Sequence, residues 1–81
     1  MSTPALVEKK RLIDRSEVER LIALKRSAIY SRLDPRSPHY DPTFPRPVPI
    51  GGPAGKPTAV RWLSVELEKW IESRIAARDA A

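Results

Sequence analysis

Apolar residues recur at helical spacing in three stretches of this 81-residue chain. Val18, Leu21 and Ile22 stand at i, i+3 and i+4, one stripe of a short helix. Ser16 precedes them with Glu19 three residues on, the spacing of a capping box, so the first helix is expected over Ser16 to Ile22. Leu12 or Ile13 would then be the hydrophobic staple that sets the chain's entry. A second, poorer stripe of Ile29 and Leu33, with Ala28 at its edge, predicts a helix over Arg26 to Leu33. Asp34-Pro35 ends it, because a residue before proline is driven out of the α region. The third stripe is the longest: Leu67, Trp70, Ile71 and Ile75 predict a helix over Val65 to Ala77. Ser64 is its expected cap, with Glu66 and Glu68 near the positive end of the helix dipole and Arg74 and Arg78 near the negative end.

Between the second and third helices the pattern changes period. All but one of the nine prolines lie from Pro35 to Pro57, a density no helix tolerates. The segment from Phe44 to Ile50 reads as an edge strand or polyproline-like run anchored by Phe44, Val48 and Ile50. Residues 51–57, rich in glycine and proline, read as a turn or loop. Thr58, Val60 and Trp62 then alternate on one face of a strand and leave Arg61 on the other. The expected architecture is mostly α with a small β-hairpin, in the order helix, helix, hairpin, helix. Residues 1–10 show no period and read as a flexible leader before a domain of residues 11–78, with 79–81 a short tail.

Composition narrows the function. The absence of cysteine excludes disulfides, thiolate metal sites and thiol catalysis, and a single histidine, His39, excludes a multi-histidine metal site. No phosphate-binding glycine loop is present, since Gly51-Gly52 and Gly55 lack the following Lys-Ser/Thr. The carboxylates Glu66, Glu68 and Glu72 interleave with Lys69 and Arg74 as a solvated helical face. Neither an enzyme nor a cofactor is expected, and no apolar run approaches the roughly 20 residues needed to cross a membrane, which points to a cytoplasmic protein.

The net charge of +5 is concentrated in the middle of the chain. Before residue 20 and after residue 61 acids and bases nearly cancel. Between those positions Arg20, Lys25, Arg26, Arg32, Arg36, Arg46, Lys56 and Arg61 oppose only Asp34 and Asp41. A basic centre in a neutral frame is the electrostatic footprint of a polyanion binder. On the second helix, Ser27 and Ser31 lie opposite the apolar stripe, with Arg26 and Tyr30 on one flank and Arg32 on the other. Two short helices joined by a tight turn, the second with this small polar and Arg/Tyr face, have the appearance of a helix-turn-helix. Arg26, Ser27, Tyr30, Ser31 and Arg32 would read base edges and clamp phosphates in a major groove, with Lys25 and Arg61 beside them. Arg46 and Lys56, on the hairpin, suit contacts made by a wing with the DNA backbone. Trp62 and Trp70 could stack on bases, but their spacing with Val60, Leu67 and Ile71 favours core packing.

Several of these segments together resemble a known family. Arg11-Leu12-Ile13-Asp14-Arg15-Ser16-Glu17-Val18, then Leu21 to Tyr30, then Phe44-Pro45-Arg46-Pro47-Val48, then Arg61-Trp62 and Glu68-Lys69-Trp70-Ile71 are similar in kind and order to the AlpA family of small prophage-type transcriptional regulators. That family is related to phage excisionases and MerR-like domains. The family's turn motif is matched at Leu24, Arg26, Ser27, Ile29 and Tyr30. Lys25 replaces its usual serine and removes the expected cap of the second helix; Ala23 replaces the usual glycine of the turn. Residues 34–43 and 51–58 are longer than the family's counterparts.

The resemblance implies a winged helix-turn-helix that binds double-stranded DNA, the second helix in the major groove and the hairpin as wing. It implies a transcriptional regulator, with self-association on DNA and contact with an integrase or RNA polymerase as further expectations. Two alternatives stay open at this point: an excisionase that bends DNA for an integrase, and a protein-interaction adaptor that never touches DNA.

Overall fold

A computed structural model describes residues 11–53 and 59–81. The 1–10 leader, Lys56, Thr58 and most of the expected 51–57 loop lie outside the described residues. The order of elements is β1 (Leu12–Ile13), α1 (Arg15–Ile22), α2 (Arg26–Leu33), β2 (Val48–Gly51), β3 (Ala59–Leu63) and α3 (Ser64–Ala80). A helix-rich chain with a small antiparallel sheet was expected, and the bounds of α2 agree residue for residue.

The sheet has one strand more than the hairpin reading allowed. β3 is central, in the order β1-β3-β2, and Leu12 and Ile13 pair antiparallel with Leu63 and Trp62. Leu12 and Ile13 thus form a strand; of the two, Ile13, directly before the Asp14 cap, is buried in one cluster with Val18 as a staple requires, while Leu12 is exposed. β2 is the other edge, where Pro49 costs least because one side of its backbone faces no strand. Its register runs Val48 to Arg61 and Pro49 to Val60, then jumps to Gly51 opposite Ala59, which leaves Ile50 as the extra residue of a bulge. A second expectation is corrected on this edge strand. Phe44 is a buried anchor as expected, but Val48 and Ile50 are exposed.

Both expected helix caps differ. The N-cap of α1 is Asp14, whose Oδ1 accepts the Glu17 backbone N–H at 2.9 Å, while Ser16 lies within the first turn. Asp14 and Glu17 have the same spacing as Ser16 and Glu19, and the upstream pair prevails because β1 ends at Ile13. Ser64 is no side-chain cap either. It is the first residue of α3, and its backbone N–H donates to the Arg11 carbonyl at 2.8 Å, so the start of α3 is held by the chain entering β1.

The core comprises Ile13, Val18, Ile29, Phe44, Trp62 and Leu67, with Ile22, Leu24, Leu33, Val60, Trp70 and Ile71 packed around it. Every element except β2 contributes to these two sets, together with Leu24 and Phe44 from connecting segments, so the sheet's bulged edge is the least anchored part. Trp62 is fully buried, and its indole N–H donates to the Pro45 carbonyl at 3.2 Å, which pins the extended segment before β2 across the core.

The long 34–45 segment is ordered by its own hydrogen bonds. Turns run from Ser37 N–H to Asp34 O, Tyr40 N–H to Ser37 O and Phe44 N–H to Asp41 O, and Asp41 N–H returns to Arg32 O at 2.9 Å. Asp41 is the hub. Its Oδ1 accepts the Thr43 N–H at 2.9 Å and the Thr43 hydroxyl at 2.6 Å, and its Oδ2 accepts the Trp70 indole N–H at 3.0 Å. Phe44 packs edge-on against the Trp70 ring at 4.9 Å between centroids. The loop is thereby fastened to α3.

Candidate nucleic-acid interface

α1 and α2 are joined by Ala23, Leu24 and Lys25. Ala23 adopts φ 58° and ψ 35°, the left-handed conformation for which glycine is the natural residue. The turn thus keeps the geometry a glycine would give and accepts a Cβ clash to do so. Leu24 packs against the core and Ile29 is 0% exposed, so α2 is seated by few but firmly held apolar contacts.

The first turn of α2 presents Lys25, Arg26 and Ser27 to solvent. Lys25 occupies the N-cap position with no side-chain capping bond, as its departure from serine implied. The opening N–H groups of α2 therefore have no side-chain cap, and with the positive end of the dipole they favour an anion. The Arg26 guanidinium lies 5.8 Å from the Tyr30 ring centroid, and Tyr30 in turn meets the Trp62 ring edge-on at 6.3 Å. A stack of Arg26 on Tyr30 on Trp62 orients the arginine from the core outward. Tyr30 is 36% exposed, half face and half buttress.

The remaining expected residues are differently disposed. Ser31 is half-buried and its hydroxyl hydrogen-bonds that of Ser37. Arg32 is half-buried, and its Nη1 donates to the Ala28 carbonyl at 3.0 Å. Arg61 is half-buried with Nη1 on the Val60 carbonyl at 2.8 Å. Arg46 is exposed on the rim of a shallow groove of about 660 Å³ between the 43–49 segment and α3, shared with Glu66 and Lys69. The residues that share one solvent-facing turn are Lys25, Arg26 and Ser27, with Tyr30 a turn further on. Reasoning from sequence passed over Arg74, which lines a second cleft with Arg32 and His39.

Two carboxylates here titrate below the ordinary aspartate range. The Arg36 backbone N–H is the main cause at Asp34, and the Thr43 hydroxyl at Asp41, where partial burial opposes it and the Trp70 indole N–H and the Arg74 charge assist it. Both belong to the loop, not to the face of α2. Among the described residues no group of histidine, cysteine and carboxylate side chains could hold a metal ion, and no helix is long and apolar enough to cross a membrane.

Comparison with known proteins identifies the family of the chain. The family model described as prophage CP4-57 regulatory protein (AlpA) matches residues 11–75. A curated relative, the DNA-binding transcriptional activator AlpA of Escherichia coli (strain K12), is 35% identical over 51 residues, which cover 63% of this chain and 66% of the relative. No solved structure matches. With the match running from the residue before β1 to the exposed part of α3, the chain belongs to the AlpA family of prophage regulatory proteins.

Proposed function

We propose that the protein is a sequence-specific double-stranded DNA-binding regulator, folded as a winged helix-turn-helix with α2 as its recognition helix. The observation that carries the reading is the first turn of α2. Lys25, Arg26 and Ser27 are exposed, the helix N-terminus is uncapped, and neither Lys25 nor Arg26 has an ion-pair partner among the described residues. By contrast Arg15, Arg20, Arg36 and Arg78 are engaged with Glu19, Glu17, Asp34 and Asp79. Helix N-terminal residues are those that meet base edges when such a helix enters a major groove. The name of the Escherichia coli relative, a DNA-binding transcriptional activator, supports the same reading.

In this arrangement Arg26 is the base reader. Its guanidinium is positioned by Tyr30 and can donate two parallel hydrogen bonds to a guanine edge. Ser27 and the opening amides of α2 meet a phosphate. The β2–β3 hairpin, with Arg46 at its approach, grips flanking backbone. No step requires a catalytic group or cofactor. Selection of preferred sites from random duplexes, followed by footprinting of the winner, tests this. A defined motif with a protected major groove is expected; equal recovery of all sequences would overturn it.

A further inference from the structure

We propose that the cleft between the 34–45 loop and α3 is a second phosphate-binding site, which takes a backbone phosphodiester of the bound duplex. The inference rests on the DNA-binding reading above but uses a surface that reading does not. The cleft, about 330 Å³, is lined by Arg32 from α2, by Pro38, His39, Tyr40 and Asp41 from the loop, and by Trp70 and Arg74 from α3. Two arginines and a histidine, from three separate elements, line one opening.

The charge is available. Arg32 and Arg74 form no ion pair among the described residues. The one carboxylate present, Asp41, keeps its negative charge while its two oxygens accept from Thr43 and from the Trp70 indole, so the cleft sets two guanidinium charges against one carboxylate. The Arg32 guanidinium is steadied by a single bond from Nη1 to the Ala28 carbonyl, which leaves its other N–H groups to donate. His39 is exposed, and its backbone N–H is held by the Ser37 hydroxyl at 3.0 Å. The Arg32 arm is therefore steadied before any anion arrives, and Arg can present a fork to phosphate oxygens.

The test compares Arg74→Gln with Arg78→Gln, two exposed arginines of α3 of which only Arg74 lines the cleft toward Arg32 and His39. Affinity for the selected duplex is measured across a salt series. Loss of one phosphate contact reduces the magnitude of the negative slope of log affinity against log salt by about 0.9. That decrease is expected for Arg74→Gln, with site preference retained, and is not expected for Arg78→Gln. Equal slopes for both variants and wild type would overturn the proposal while leaving intact the assignment of α2, which wild-type site preference tests alone. In a second arm, inorganic phosphate is titrated without DNA while the His39 ring signals are followed. Phosphate-dependent shifts combined with an unchanged DNA slope for Arg74→Gln would mark a small-anion pocket and overturn the backbone assignment.

Discussion

The Trp70 indole N–H donates to Asp41 Oδ2 at 3.0 Å, joining two residues 29 positions apart and closing the proline-rich loop against α3. The remaining oxygen takes both donors of Thr43. A loop that could have wandered is thereby held in one shape, and the shape brings Ser37 to Ser31 and His39 to the cleft that Arg32 lines.

The Asp41 carboxyl sits below its ordinary value chiefly because of the Thr43 hydroxyl, so its ionised form is favoured in the folded state. A lowered folded-state value means the contribution to stability is complete above the unfolded value of 3.8 and is lost as pH falls through the folded value beneath it. Asp41→Asn should lower stability near neutrality by about 1–2 kcal/mol, the scale of a lost charge-assisted hydrogen bond. The gap to wild type should close as the pH drops below that window. Thermal melts of both proteins along a pH series check this, and a gap that widens in acid would refute it.

Ala23, at φ 58°, is the only residue other than glycine with positive φ among the described residues. Ala23→Gly should stabilise the protein by about 1 kcal/mol, since relief of the Cβ clash outweighs the added freedom of the unfolded chain. Denaturant midpoints measure it. An unchanged or lowered midpoint would mean that the turn is not under strain.

The two tryptophans should not be equivalent. Trp62 is fully buried and Trp70 only partly so. Trp62→Ala should cost about 3–5 kcal/mol, a large part of the stability of so small a domain, whereas Trp70→Ala should cost less and loosen the loop in particular. Melting curves decide the order, and amide exchange in residues 34–45 locates the loosening. The reverse ranking would misplace the centre of the core.

These elements differ in how plainly the chain announces them. α2 was legible because Pro35 stops it and the Ile29/Leu33 pair is spaced by one turn. β1 was not, because two residues carry no alternation and Leu12-Ile13 pairs with β3 from the far end of the domain. Two overlapping Asx/Ser-x-x-Glu signals stood at the start of α1, and only the end of β1 chooses between them. For the site, residue types pointed to Arg26, Ser27, Tyr30, Ser31 and Arg32 as one outer face, of which Arg26, Ser27 and Tyr30 are exposed and Ser31 and Arg32 half-buried. The tie of Ser31 to Ser37 depends on where the loop folds, and the cleft that Arg74 shares with Arg32 and His39 is a tertiary fact with no local signature.

The central claim is that α2 reads sequence, and one comparison tests it most directly. Affinity of wild type, Arg26→Ala and Arg46→Ala is measured for the selected duplex and for a scrambled one at a single salt concentration. Loss of a base contact should cost about 1–3 kcal/mol on the selected site alone, whereas loss of a backbone contact weakens both duplexes alike. Arg26→Ala is therefore expected to collapse the ratio of specific to non-specific affinity, and Arg46→Ala to leave that ratio near the wild-type value. If Arg26→Ala instead lowers both affinities equally, or changes neither, α2 does not read the bases.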